Sequence, residues 1–150
     1  MKLSTKGRYG VRLLIDIAQH YDEGPVDLGD IAKRQSISEK YLWSLIPPLK
    51  NAGIITSTRG SKGGYVLAKH PTDIKLNEIV ALLEGPICLV DCINDPSLCK
   101  RSAICSTKDV WTLVSKNIND TLSGITIADM VKNQNEKEGL NKQPKGGFYL

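Results

Sequence analysis

Apolar residues along the chain recur mostly at helical spacing. Val11, Leu14, Ile15 and Ala18 line one side of residues 5–20, Leu13 and Ile17 widen that side, and Ser4 or Thr5 can cap the start. Gly24-Pro25 closes this unit. Asp27 then caps a short helix from Leu28 to Arg34 with Leu28, Ile31 and Ala32 inward, and Gln35 to Ser38 turn the chain. From the cap Ser38, Leu42, Leu45, Ile46 and Leu49 fall at i, i+3, i+4 and i+7, and Asn51-Ala52-Gly53 is a stop. One face is therefore buried and the other is free. Pro47 and Pro48 interrupt this pattern, because each lacks an amide donor and crowds the carbonyl four residues earlier, so a kink or an end near Ile46 is predicted. Glu39 to Ser44 stay helical on either outcome.

The period then changes. Ile54 to Thr58 and Tyr65 to Ala68 are β-prone runs, and Arg59-Gly60-Ser61-Lys62-Gly63-Gly64 between them forms a hairpin tip. Helical spacing returns at Leu76 to Glu84, carrying Ile79, Val80, Leu82 and Leu83, and ends at Gly85-Pro86. Residues 85–105 read as a loop holding all four cysteines, Cys88, Cys92, Cys99 and Cys105. Ser106 and Asp109 form a capping-box-like start for a long helix with Val110, Leu113, Val114, Ile118 and Leu122, closed by Gly124. Thr126 to Lys132 reads as a short capped helix, and residues 133–150 as a polar, disordered tail. The expected fold is mainly α with a small β-hairpin wing. It comprises a winged helix-turn-helix over 1–84, a cysteine loop over 85–105, and a long dimerisation helix plus a short one over 106–132.

Two short helices joined by a tight turn are a helix-turn-helix candidate, with an ordinary helical hairpin as the plain alternative; the basic hairpin tip that follows favours the first. Arg59 and Lys62 on a glycine-rich tip can reach a phosphate or a minor groove, and Lys2, Lys6, Arg8 and Arg12 cluster at the first helix. The net charge of +4 suits a polyanion but equally a solvated basic face. The long C-terminal helix carries more apolar face than one small domain covers. A second copy would cover it, and a two-fold homodimer suits a palindromic double-stranded DNA operator. No apolar run approaches a membrane span and the N-terminus lacks an apolar signal core, so no membrane partner and a cytoplasmic location are expected.

Clustered cysteines in a reducing compartment point away from disulfides and toward a metal or cluster. Six residues separate Cys92 from Cys99 and five separate Cys99 from Cys105. That spacing lacks the close Cys-x-x-Cys pairs common in zinc sites and leaves zinc, an iron–sulfur cluster and plain reduced thiols open. An enzyme is not expected: a nucleophilic cysteine needs a base, and the histidines, His20 and His70, lie far off in sequence without a supporting motif.

With those residues in view, the chain resembles the Rrf-type winged-helix regulators, whose branches include IscR-like, NsrR-like and CymR-like members. Residues 1–10 (MKLSTKGRYG), Ile37 to Leu42, Asn51 to Ile54, Arg59 to Tyr65 and Glu84 to Ile87 carry the likeness, which spans roughly 1–132. It implies a homodimeric transcription factor whose long helices cross at the interface, and a repressor is the expected form. It also implies a 2Fe-2S or 4Fe-4S cluster on Cys92, Cys99 and Cys105. Where one branch has a histidine ligand this chain has Lys108, and where another has an acidic residue from the partner's first helix it has Arg8. Cys88 is then a candidate for a fourth position, with Asp91, Asp109 or a thiol from outside the chain as rivals. Control of iron–sulfur assembly, iron or redox-stress genes is implied; a zinc-stabilised protein-interaction module and a cluster-free regulator of cysteine metabolism are the alternatives. On the DNA side the resemblance implies contacts from Lys6, Ser38, Lys40, Tyr41, Trp43, Ser44, Arg59, Gly60, Ser61 and Lys62. Trp43 stands where IscR-like members have an acidic base-reading residue.

Overall fold

A computed structural model describes residues 2–142, with side chains as far as Gly139. The order is α1 (Thr5–Gln19), α2 (Leu28–Gln35), α3 (Glu39–Asn51), β1 (Ile55–Thr58), β2 (Gly64–Leu67), α4 (Leu76–Glu84), α5 (Ser106–Ser123) and α6 (Ile127–Lys142). Caps set the first three starts: Ser4 Oγ faces the Gly7 amide, Asp27 accepts from Gly29 and Asp30, and Ser38 accepts from Tyr41. Ser36, in the left-handed region at φ 53°, turns the chain from α2 into α3.

The core gathers Leu13, Leu14 and Ile17 of α1, Ile31 of α2, Leu42, Leu45 and Leu49 of α3, and Ile79 and Leu83 of α4. Small residues set the α1–α4 approach. A Cβ on Gly10 would lie 2.1 Å from Leu83 Cδ1, so a larger residue there would force the Leu83 side chain to shift. Asp16 is buried in α1 and satisfied: Arg34 donates from Nη2 at 2.7 Å and from Nε at 3.1 Å, and Gln35 Nε2 donates at 2.9 Å. This set ties α1 to the end of α2.

The hairpin pairs antiparallel, Ile55 with Leu67 and Thr58 with Gly64. Val26, from the α1–α2 connection, bridges to β2 by exchanging two 2.9 Å bonds with Tyr65. Gly64 is required beside it, because a Cβ there would lie 2.3 Å from the Val26 carbonyl oxygen.

Three expectations need correction. α3 runs unbroken through Pro47 and Pro48 to Asn51. The missing donors would have served the carbonyls of Trp43 and Ser44, both exposed residues, while Leu42, Leu45, Ile46 and Leu49 hold the opposite face in the core. Ser106 does not cap α5; Cys105 holds the cap position and makes no side-chain cap bond. The helix after Thr126 does not stop at Lys132 but continues to Lys142, so residues 133–142 of the expected disordered tail are helical; the rest of that tail lies outside the described residues. α6 is seated by Ile127, which is fully buried and donates its amide to the Ile74 carbonyl at 2.9 Å. Polar contacts extend it: Gln19 Nε2 donates to Asn135 Oδ1 at 2.8 Å and reaches Glu138 Oε2 at 3.3 Å.

Candidate nucleic-acid interface and cysteine loop

The starts of α1 and α3 and the hairpin present the residues expected to meet DNA. Tyr9 meets Tyr41 edge to face at 5.5 Å, which sets the early turns of α1 and α3 side by side. Lys6 and Arg8 of α1 are exposed, as are Ser38, Lys40, Trp43 and Ser44 around α3; Tyr41 is half-buried by Tyr9. Ser38 is already engaged as a cap, and Ser44 Oγ donates to the Tyr41 carbonyl at 2.5 Å. Trp43 is 52% exposed and leans edge-on against Tyr65 of β2 at 6.3 Å. Trp43 and Glu39 on one side and Ser57 to Ser61 on the other line a groove of about 370 Å³ between α3 and the wing. Arg59, Gly60, Ser61 and Lys62 are all exposed at its outer end. Lys50 Nζ donates to Ser57 Oγ at 2.8 Å and links the end of α3 to β1.

The cysteines lie on a chain of short 3-10 turns, Asp91–Ile93, Pro96–Leu98 and Ser102–Ile104. None is in a disulfide; Cys99 is exposed and Cys88, Cys92 and Cys105 are half-buried. At the start of α5, Cys105 Sγ lies 3.1 Å from Thr107 Oγ1. The Thr107 hydroxyl, helped by the Lys108 amide and the Arg101 charge, holds the Cys105 thiol below its ordinary pKa, which favours the ligating thiolate. Cys88 stands apart from Cys105. The next residue, Leu89, donates its amide to Ser115 Oγ at 3.0 Å. Ser115 lies ten residues beyond Cys105, about 15 Å at the α-helical rise. Cys88 itself lines a mostly apolar recess of about 160 Å³ with Leu3, Val80, Ile118 and Leu122. Among the described residues, no three of His, Cys, Asp and Glu converge as metal ligands would. The donor set on Cys92, Cys99 and Cys105 nonetheless has the soft-thiolate chemistry of a cluster site.

α5 leaves its apolar positions largely open. Val110, Trp111 and Leu113 are 52%, 42% and 58% exposed, and only Ser115 is buried. Val114, Ile118 and Leu122 continue the stripe as a shallow apolar trough.

Two features escaped the sequence reading. One is the bridge from Val26 to Tyr65. The other is Glu84, which accepts from the Ser4 amide, the Ser4 hydroxyl and the Gly7 amide. Gly7 and Gly10, three apart on one face of α1, were the available sign of a close helix approach.

A helix-turn-helix with a two-stranded wing, followed by a long helix with an open apolar face, defines a winged-helix transcriptional regulator and not an enzyme. The comparisons agree: the sequence model for Rrf2, described as an iron-dependent transcriptional regulator, matches residues 3–133, and the chain belongs to that family. Protein rrf2 of Nitratidesulfovibrio vulgaris is 45% identical over 132 residues, covering 88% of each chain. Among solved structures, IscR of T. potens is 42% identical, with a TM-score of 0.76 over 99% of this chain and 95% of that one. CymR, the global cysteine regulator of B. subtilis, is 36% identical, with a TM-score of 0.77 over 89% of this chain and 98% of that one. Among the described residues, no helix is long and apolar enough to cross a membrane.

Proposed function

We propose that the protein is a cytoplasmic homodimeric repressor whose operator binding is gated by an iron–sulfur cluster on Cys92, Cys99 and Cys105. The observation that carries this reading is the position of the loop. It leaves the end of α4 and runs into the first residue of α5, the helix whose apolar stripe is open to a second copy. A bound cluster would supply a centre whose gain or loss reports iron, sulfide or oxidant. Cys92, Cys99 and Cys105 would hold it, the last from the α5 cap position. Drawing these thiols together pulls on the start of α5, and with it on the relation of two α3 helices across a dimer. Gating requires that the loaded and empty forms differ in DNA affinity, so the loop must favour one dimer geometry over the other. The separation of Cys88 from Cys105 argues for a fourth ligand from elsewhere.

Lys40, Tyr41, Trp43 and Ser44 would face the major groove, with Arg59 to Lys62 on the flanking phosphates or minor groove. Trp43 offers no donor or acceptor pair for a base edge except its indole N–H, so it reads by apolar contact, such as with a thymine methyl group.

Anaerobic purification tests the cluster. Visible absorbance with iron and acid-labile sulfide, lost in Cys92→Ser, Cys99→Ser and Cys105→Ser but kept in Cys88→Ser, is the expected result. Colourless protein with stoichiometric zinc sinks it. A second reading, a CymR-like regulator acting without a cluster, is favoured by the open arrangement of the thiols and by the likeness to CymR. Colourless, metal-free protein that binds DNA would establish it.

A further inference from the structure

α1 has no acidic residue in its own first turn. Its cap, Ser4 Oγ, lies 3.5 Å from the Gly7 amide, too long for a good bond. The anion that the positive end of the helix attracts arrives from another element. Glu84, the last residue of α4, puts Oε1 3.0 Å from the Ser4 amide, 2.9 Å from the Gly7 amide and 2.5 Å from the Ser4 hydroxyl. Gly7 makes room for it: a Cβ there would lie 2.3 Å from Oε1. The residues held by this carboxylate carry Lys2, Lys6 and Arg8, all exposed and, among the described residues, in no ion pair. The Tyr9–Tyr41 contact sets this segment beside the first turn of α3.

We propose that Glu84 is a positioning residue for DNA binding: by capping α1 from outside, it fixes the Lys2-Leu3 segment and the first turn so that Lys2 and Lys6 meet the phosphate backbone. Gly85, at φ 93°, turns the chain directly from this carboxylate toward the cysteine loop, so the same joint connects the loop to the N-terminal cations. The inference rests on the DNA-binding reading above and is independent of any cluster.

The test uses the full chain and a random-sequence 30-bp duplex, because phosphate contacts do not depend on sequence. Glu84→Ala removes the cap. Gly7→Ala keeps the carboxylate but displaces it. Both are expected to weaken binding about tenfold and to reduce the slope of log K against log salt by about one to two, the loss of one or two phosphate contacts. Glu84→Gln, which keeps an acceptor oxygen, should fall between wild type and Glu84→Ala. The double variant should be no weaker than either single one, since both break one joint. Wild-type slopes in both single variants overturn the proposal, even where their melting temperatures fall. Tighter binding by Glu84→Ala overturns it too, because the carboxylate would then be keeping a phosphate out. If the wild-type protein itself does not bind duplex DNA while remaining folded, the DNA-binding reading fails first. Arg59→Ala serves as the control for a slope change that leaves α1 untouched.

Discussion

Asp16 shows how much a single side chain can hold. The residue is 1% exposed; Arg34 and Gln35 donate to its carboxylate, and His20 Nδ1 lies 3.9 Å from Oδ1. The bond to Asp16 also raises the Arg34 pKa. Arg34→Ala should destabilise the fold by about 3 kcal/mol, the lower end for a broken buried pair, because the guanidinium is itself partly in water. Urea unfolding checks this, and a change under about 0.5 kcal/mol, the range of an ordinary surface substitution, would show that Asp16 finds another partner. Nothing in the sequence pointed to the pair. Asp16 lies on the side of α1 away from the Val11, Leu14, Ile15 and Ala18 stripe, where periodicity predicts a solvated residue and gives no sign that Arg34 and Gln35 cover it. Conversely, Leu42, Leu45, Ile46 and Leu49 were legible because helical spacing alone specifies the buried face.

At the scale of elements, the sequence marked starts better than ends. Asp27 and Ser38 cap where their chemistry says, because a cap is a local bond, and Ser4 stands at the predicted start of α1 although Glu84 supplies the better acceptor there. The ends of α3 and α6 depend on what the helix packs against, and Pro47, Pro48 and the polar run after Lys132 were misread for that reason. The start of α6 has a reciprocal cap: the Thr126 amide and hydroxyl donate to Asp129 Oδ2 at 2.9 and 2.8 Å, and the Asp129 amide returns a bond to Thr126 at 3.1 Å. The Thr126 amide, then its hydroxyl, hold the Asp129 carboxyl below its ordinary pKa. A depressed folded value means that this stabilisation is complete above the unfolded pKa of about 4 and is lost as pH falls through the folded value. The melting-temperature gap between wild type and Asp129→Asn should therefore be constant above about pH 5 and close in acid. A gap unchanged down to about pH 2 would show that the charge plays no part.

For the whole molecule, the open stripe on α5 is the largest unmet demand. Val114 lies at its centre, between Val110 and Ile118 one turn away on either side, so a charge there should block any pairing through this face. Where the wild type runs as a dimer in sedimentation, Val114→Glu is expected to run as a monomer while keeping its helical content; a dimeric Val114→Glu protein would rule out pairing through this face. The surplus of apolar face was readable from sequence, because too many apolar positions faced outward for one small core. The arrangement of the cysteines was not, since spacing in a loop says nothing about which thiols share a neighbourhood, and the Leu89–Ser115 bond that sets Cys88 apart joins distant positions.

That bond also means that both ends of the loop are fastened to one rod. Leu89 hangs from the middle of α5 and Cys105 opens it, with the 3-10 turns spanning the interval between. A protease cut between Cys92 and Cys99 would thus sever a strap whose two buckles remain on the same bar. The two pieces, anchored through α4 on one side and α5 on the other, should elute together under native conditions and part only in denaturant.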